Sequence, residues 1–176
     1  MVRYIALLRG VNVGGITIKS LDLRELFVSL GFDEVRTVLA SGNVVFETAT
    51  REPHAVLKRR IEQALGDRFA YDAWIVLVTR AELERAVDGF PFDATDARRQ
   101  PWVIFVSDPA VIDELQTAAD GVDPDVDPLV ADDGVLYWNP VKGTTVGTPF
   151  AKLIGKAKYK SVTTNRNLRA LLKILG

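Results

Sequence analysis

A chain of 176 residues with 48% hydrophobic and 26% charged side chains has ordinary globular composition and fills one domain or two small ones. It contains no cysteine and a single histidine, His54, which excludes disulfides, thiolate nucleophiles, zinc–thiolate centres and histidine metal clusters, so no metal and no cofactor is expected. The net charge of −1 hides an asymmetry: residues 81–134 carry 14 acidic and 3 basic side chains, whereas residues 141–176 carry 8 basic and no acidic ones.

Residues 2–8, Val-Arg-Tyr-Ile-Ala-Leu-Leu, read as a strand. The apolar run is too short for a signal peptide, and no stretch approaches a membrane span, so the expectation is a cytoplasmic protein without a membrane partner. Ser20 is placed to cap a helix whose residues Leu23, Leu26, Phe27 and Leu30 follow helical spacing and which Gly31 ends. Two short strands over 34–39 and 44–48 flank the tight turn Ala40-Ser41-Gly42-Asn43, a hairpin. A helix over about 53–69 turns Val56, Ile61, Leu65 and Phe69 inward, with His54 a solvated residue at its start. A strand over 72–79 follows. Strand-helix-strand-strand-helix-strand is the split βαβ, ferredoxin-like order.

The second half echoes the first. A helix over 80–87 precedes a strand over 102–106, a helix over 109–119, a strand over 126–130, a turn at Ala131-Asp132-Asp133-Gly134 and a strand over 135–139. Helical segments at 150–157 and 165–175 finish the chain, with no clear last strand. Lys156, Lys158 and Lys160 alternate with Ala157 and Tyr159 as an exposed extended stretch would. The fold class is therefore α+β: a ferredoxin-like half over 1–79, then a related α+β half over 80–176 with a basic C-terminal helix.

Connectivity locates the polar loops. In a split βαβ unit the end of the first strand and the turn between the second and third meet at one sheet edge. Arg9-Gly10-Val11-Asn12-Val13-Gly14-Gly15 should therefore lie beside Ser41-Gly42-Asn43. Glycines let backbone N–H groups approach a ligand, and Arg9 offers a planar fork for phosphate or carboxylate. A tight loop and an ordinary hairpin turn explain the same glycines. The segment Thr163-Thr164-Asn165-Arg166-Asn167 reads as a loop entering a helix, with Thr164 or Asn165 as cap. Arg166, Arg169 and Lys173 would share its basic face, opposite Leu168, Leu171, Leu172 and Leu175. An ordinary capped helix with a solvated basic face is the alternative reading there.

Named motifs do not match. A P-loop would need Lys where Ile16 stands, and there is no G-x-G-x-x-G. Asp123, Asp125 and Asp127 open like a calcium loop, but Pro128 replaces its glycine.

Residues 5–15, then Ser41-Gly42-Asn43-Val44-Val45-Phe46, then Thr163-Thr164-Asn165-Arg166-Asn167, resemble domain of unknown function family 1697, small bacterial proteins. The resemblance runs nearly end to end. It implies an α+β fold with ferredoxin-like parts and no assigned activity. Leu168 stands where members often have an aromatic, and Ala151 where they often have serine.

Three functions follow as expectations. The first is an anionic small molecule bound at the sheet edge by Arg9, Asn12, Gly14, Gly15, Ser41, Asn43, Thr164, Arg166 and Asn167. The second is a nucleic-acid-binding module using the basic C-terminal segment. The third is a protein-interaction module, or internal docking of basic on acidic regions. No catalytic residue is identifiable.

Overall fold

A computed structural model describes residues 1–12 and 15–176. The chain divides into two units, one of Met1–Glu84 with Lys173–Gly176 and one of Arg85–Leu172.

The first unit contains β1 (Val2–Leu8), α1 (Ser20–Ser29), β2 (Asp33–Thr37), β3 (Asn43–Thr48), α2 (His54–Phe69) and β4 (Ile75–Thr79). Its sheet is antiparallel in the order β2-β3-β1-β4, the ferredoxin-like arrangement expected from the order of elements. β1 is central and paired on both edges, and because consecutive residues Ile5, Ala6, Leu7 and Leu8 are all buried, both its faces are covered. That is why it reads as a continuous apolar run and not as an alternation. On one face, Ala6, Leu8, Val44, Phe46, Ile75 and Leu77 pack with Leu23 and Phe27 of α1 and Leu57, Ile61 and Leu65 of α2.

Two local expectations are corrected. α2 buries Leu57 with Ile61 and Leu65, whereas Val56 is 38% exposed. The inward stripe runs at intervals of four, and Val56 sits about 100° away from it on the helix. Ser20 is the first helical residue of α1, and Lys19 at the cap makes no side-chain capping bond.

α3 (Arg80–Asp88) crosses the division between the units. The second unit continues with β5 (Trp102–Val106), α4 (Pro109–Ala119), β6 (Leu129–Asp132) and β7 (Val135–Trp138). Then come α5 (Pro149–Ile154), a 3₁₀ turn (Ala157–Tyr159), β8 (Thr163–Asn167) and α6 (Leu168–Leu175). Its antiparallel sheet has the order β6-β7-β5-β8, the first unit's order over again. The strand that the sequence lacked is Thr163–Asn167. It pairs with β5 from Val106↔Thr163 to Trp102↔Asn167. Five polar residues carry no apolar alternation, so periodicity misses it; the free edge of β5 makes it a strand.

Further corrections follow. α6 starts at Leu168, and its cap is Asn167, whose Oδ1 accepts from the Arg169 N–H at 3.0 Å, and not Thr164 or Asn165. Arg166 lies in the strand and so shares no helical face with Arg169 and Lys173. Leu172 is 53% exposed, and Ile174 is buried instead. Around Lys158 the backbone forms a 3₁₀ turn with Tyr159 buried; the Tyr159 hydroxyl donates to Glu114 Oε1 at 2.8 Å, and Lys158 pairs with the same carboxylate.

Asp127 is 1% exposed, and its two oxygens accept from Trp138 Nε1 at 2.9 Å and the Phe150 N–H at 3.0 Å. One carboxylate thus ties β7 to the start of α5. Replacement by alanine strands two buried donors, each costing about 1–3 kcal/mol. Asp127→Ala is expected to lower the unfolding free energy by about 2–4 kcal/mol in urea titration.

Candidate functional site

The polar edge of the first unit is built at the end of β1. Leu7 stands opposite Asn43, the Leu8 N–H donates to the Gly42 carbonyl at 2.9 Å, and the Arg9 N–H donates to the Trp74 carbonyl at 3.0 Å. The loop after β1 therefore emerges between the starts of β3 and β4. Arg9, Asn12, Gly15, Ser41 and Asn43 are brought to this edge; Gly14, with Val13, lies outside the described residues.

Asn12 fastens the loop. It adopts φ +58°, and its Nδ2 donates to the Ile18 carbonyl at 3.1 Å and the Ala40 carbonyl at 2.6 Å. Its Oδ1 accepts from the Ile18 N–H at 3.0 Å. One side chain thus joins the loop to the hairpin turn, and both of its N–H donors are used. Asn43 is fully buried; its Nδ2 donates to the Val38 carbonyl at 2.7 Å and to Ser41 Oγ at 3.0 Å. Two glycines are sterically required here. A Cβ on Gly15 would lie 2.8 Å from the Gly10 carbonyl oxygen. One on Gly42, at φ +79°, would lie 3.0 Å from Leu8 Cβ. Arg9 is partly exposed, and burial lowers its pKa from the ordinary guanidinium value.

A third segment of this edge escaped the sequence reading. β4 pairs with β1 from Leu8↔Ile75, so residues 70–74 reach the same place as the loop after β1. The signal was present: in a split βαβ unit the fourth strand also runs antiparallel to the first. The segment carries Tyr71 and Trp74, both partly exposed. The Tyr71 hydroxyl oxygen is itself buried without a hydrogen-bond partner among the described residues, and burial pushes its pKa up to about 12.

Thr164, Arg166 and Asn167 belong to the second unit. Arg166 is 6% exposed, and its Nη1 donates to Thr164 Oγ1 at 2.8 Å and to the Asn165 carbonyl at 2.9 Å. The acidic and basic regions meet within this unit where Lys158 pairs with Glu114. Among the described residues no group of three or more His, Asp or Glu could hold a metal ion, and no helix is long and apolar enough to cross a membrane.

With this geometry in place, comparison with known proteins identifies relatives. The model of a family described as protein of unknown function (DUF1697) matches residues 1–137. The chain belongs to the DUF1697 family. The match takes in the whole Arg9–Asn43 edge and Trp74 and stops before Thr163. No curated protein matches. A solved structure of the conserved bacterial protein SP0830 from Streptococcus pneumoniae is similar at 21% identity. The similarity covers 99% of this chain and 97% of that one, with a TM-score of 0.80, so the DUF1697 chain shares its fold.

Two outcomes follow from the geometry. Asn12→Ala loses the loop's fastening and forces a Cβ residue without a compensating side chain into φ > 0; a loss of about 1–3 kcal/mol is expected, and faster hydrogen exchange at the Ile18 amide. Asn12→Gly should be milder, because glycine accepts that φ. For Tyr71, a folded-state pKa of about 12 lies above the unfolded value near 10. Its stability contribution is therefore complete below pH 10 and is lost as pH rises toward 12. Tyr71→Phe should be at least as stable as wild type at pH 7 and should lose less stability between pH 10 and 12, as read by thermal melts.

Proposed function

We propose that the edge formed by Arg9, the glycine loop and Ser41 binds a small anionic ligand bearing a phosphate or carboxylate. The carrying observation is Arg9 itself: a partly buried guanidinium, its charged form disfavoured by desolvation, at the end of β1 and three residues before Asn12, which is tied to Ala40 and Ile18. A ligand oxyanion would offset that desolvation, and charge-assisted hydrogen bonds to a planar fork are the strong ones. In this reading Asn12 and Asn43 position the loop and the turn through their bonds to backbone, and Gly15 permits the close return of the chain. Gly14 enters the same proposal from the sequence alone.

Thr164, Arg166 and Asn167 are proposed from the sequence as ligand-binding residues of the second unit, where Thr164 Oγ1 accepts from Arg166 and Asn167 caps α6. The nucleic-acid reading has less behind it than the residue count implied. Of the basic residues after position 141, Arg166 is buried and Lys158 is paired with Glu114. A cytoplasmic location is part of the same proposal and fits a chain without cysteine.

Thermal-shift titration with inorganic phosphate, phosphorylated sugars and small carboxylates tests the reading. At least one is expected to raise the melting temperature of wild type. Arg9→Ala is expected to weaken binding about 10- to 100-fold, the equivalent of one or two charge-assisted hydrogen bonds. Equal shifts in wild type and Arg9→Ala would remove Arg9 from the site and the proposal with it.

A further inference from the structure

We propose that the ligand at the β1 edge carries a flat ring beside its anionic group, a nucleoside monophosphate by class, with Trp74 stacking on the ring; this rests on the anion-binding reading of Arg9 above. Leu8 pairs with Ile75, and the next rung joins Arg9 to Trp74 through the 3.0 Å bond between their backbones. Side chains alternate along a strand. Leu8 and Ile75 pack into the core beneath α1 and α2, so Arg9 and Trp74 both stand on the opposite face. Directly opposed residues of an antiparallel pair have Cβ atoms about 4.5–5.5 Å apart. Backbone pairing thus sets the Cβ atoms of Arg9 and Trp74 side by side on one face.

Trp74 is not explained by the helix-side core. That core takes Tyr71 and Ala73 from the same segment but not Trp74, which remains partly exposed. Beside the pair, Gly10 is exposed, and among the described residues no heavy atom beyond its chain neighbours lies within 4 Å of where its Cβ would stand. Ser41 is also exposed at this edge. Base–aromatic stacking is worth about 1–3 kcal/mol per base, and every base has a face to offer, so an indole selects a ringed anion over a ringless one without selecting the base. Arg9 supplies the phosphate half of the recognition and Trp74 the ring half.

Isothermal titration calorimetry separates these halves by comparing ribose 5-phosphate with the four ribonucleoside 5′-monophosphates. In wild type the best nucleotide should bind about tenfold or more tightly than ribose 5-phosphate. Trp74→Leu should abolish that advantage and leave the ribose 5-phosphate affinity in place, while Arg9→Met should weaken both. A second reading needs no destabilised variant: the Trp74 indole N–H resonance, assigned with Trp74→Phe, should shift with nucleotide and stay put with ribose 5-phosphate. Equal affinities in wild type, or a nucleotide advantage that survives Trp74→Leu, would overturn the inference and leave the anion site standing. Binding of none of these phosphates would take the inference with it; if carboxylates still bound through Arg9, the anion site would survive. Tight binding of single-stranded RNA with no affinity for any mononucleotide would replace it with the nucleic-acid reading.

Discussion

The edge depends on a single constraint: β1 is hydrogen-bonded on both sides as far as its last residue and one beyond. Leu8 donates to Gly42 at the start of β3, and Arg9 donates to Trp74 ahead of β4. A strand held this way cannot choose where its following loop emerges. The loop must leave between two other strand starts, bringing three separate segments to one place. Ile5, Ala6, Leu7 and Leu8 are apolar toward both faces and all buried, which suits them to this central, doubly paired position. Asn12 then limits what the loop does next. Its three hydrogen bonds tie Asn12 to Ile18 and to the hairpin turn at Ala40.

The second unit repeats the topology and adds a buried charge. Like the first, it packs its sheet on its helices through apolar groups, here Ile104, Leu136 and Trp138 with Leu115 and Phe150, and it adds a buried carboxylate, Asp127. A buried carboxylate is tolerated only when its oxygens are engaged, and here an indole N–H and a helix-start N–H engage them. The charge asymmetry is partly absorbed in the same unit. Lys158 meets Glu114, the Tyr159 hydroxyl meets the same carboxylate, and Arg166 is folded into β8. Charge counted along a chain therefore overstates the charge displayed on the surface. For function, this moves the weight of the argument from the basic tail to the single arginine at the β1 edge.

The legible parts of the site were those set by local pattern and connectivity. Gly42-Asn43 between two strand-forming runs read as a turn, and the split βαβ order placed it beside Arg9. The chemistry of the asparagines was not legible. Asn12 and Asn43 looked like ligand-facing amides, but an amide shows its partners only when the carbonyls it meets are in place, and those belong to Ile18, Ala40 and Val38. Trp74 was not singled out because it lies within the apolar strand expected over 72–79. Only the rung that joins it to Arg9 puts the two side chains on one face.

By itself the sequence determined the type and order of nearly all elements, because buried strands and amphipathic helices carry their periods in the chain, and it determined that cysteine and histidine-cluster chemistry is absent. Tertiary structure alone decided that Thr163–Asn167 is a strand. Its residues carry no apolar pattern, and it becomes β8 because β5 has an unpaired edge whose backbone groups require partners. Tertiary structure likewise decided which face Arg9 shares, since the pairing partner of a strand is a long-range fact that no local window contains.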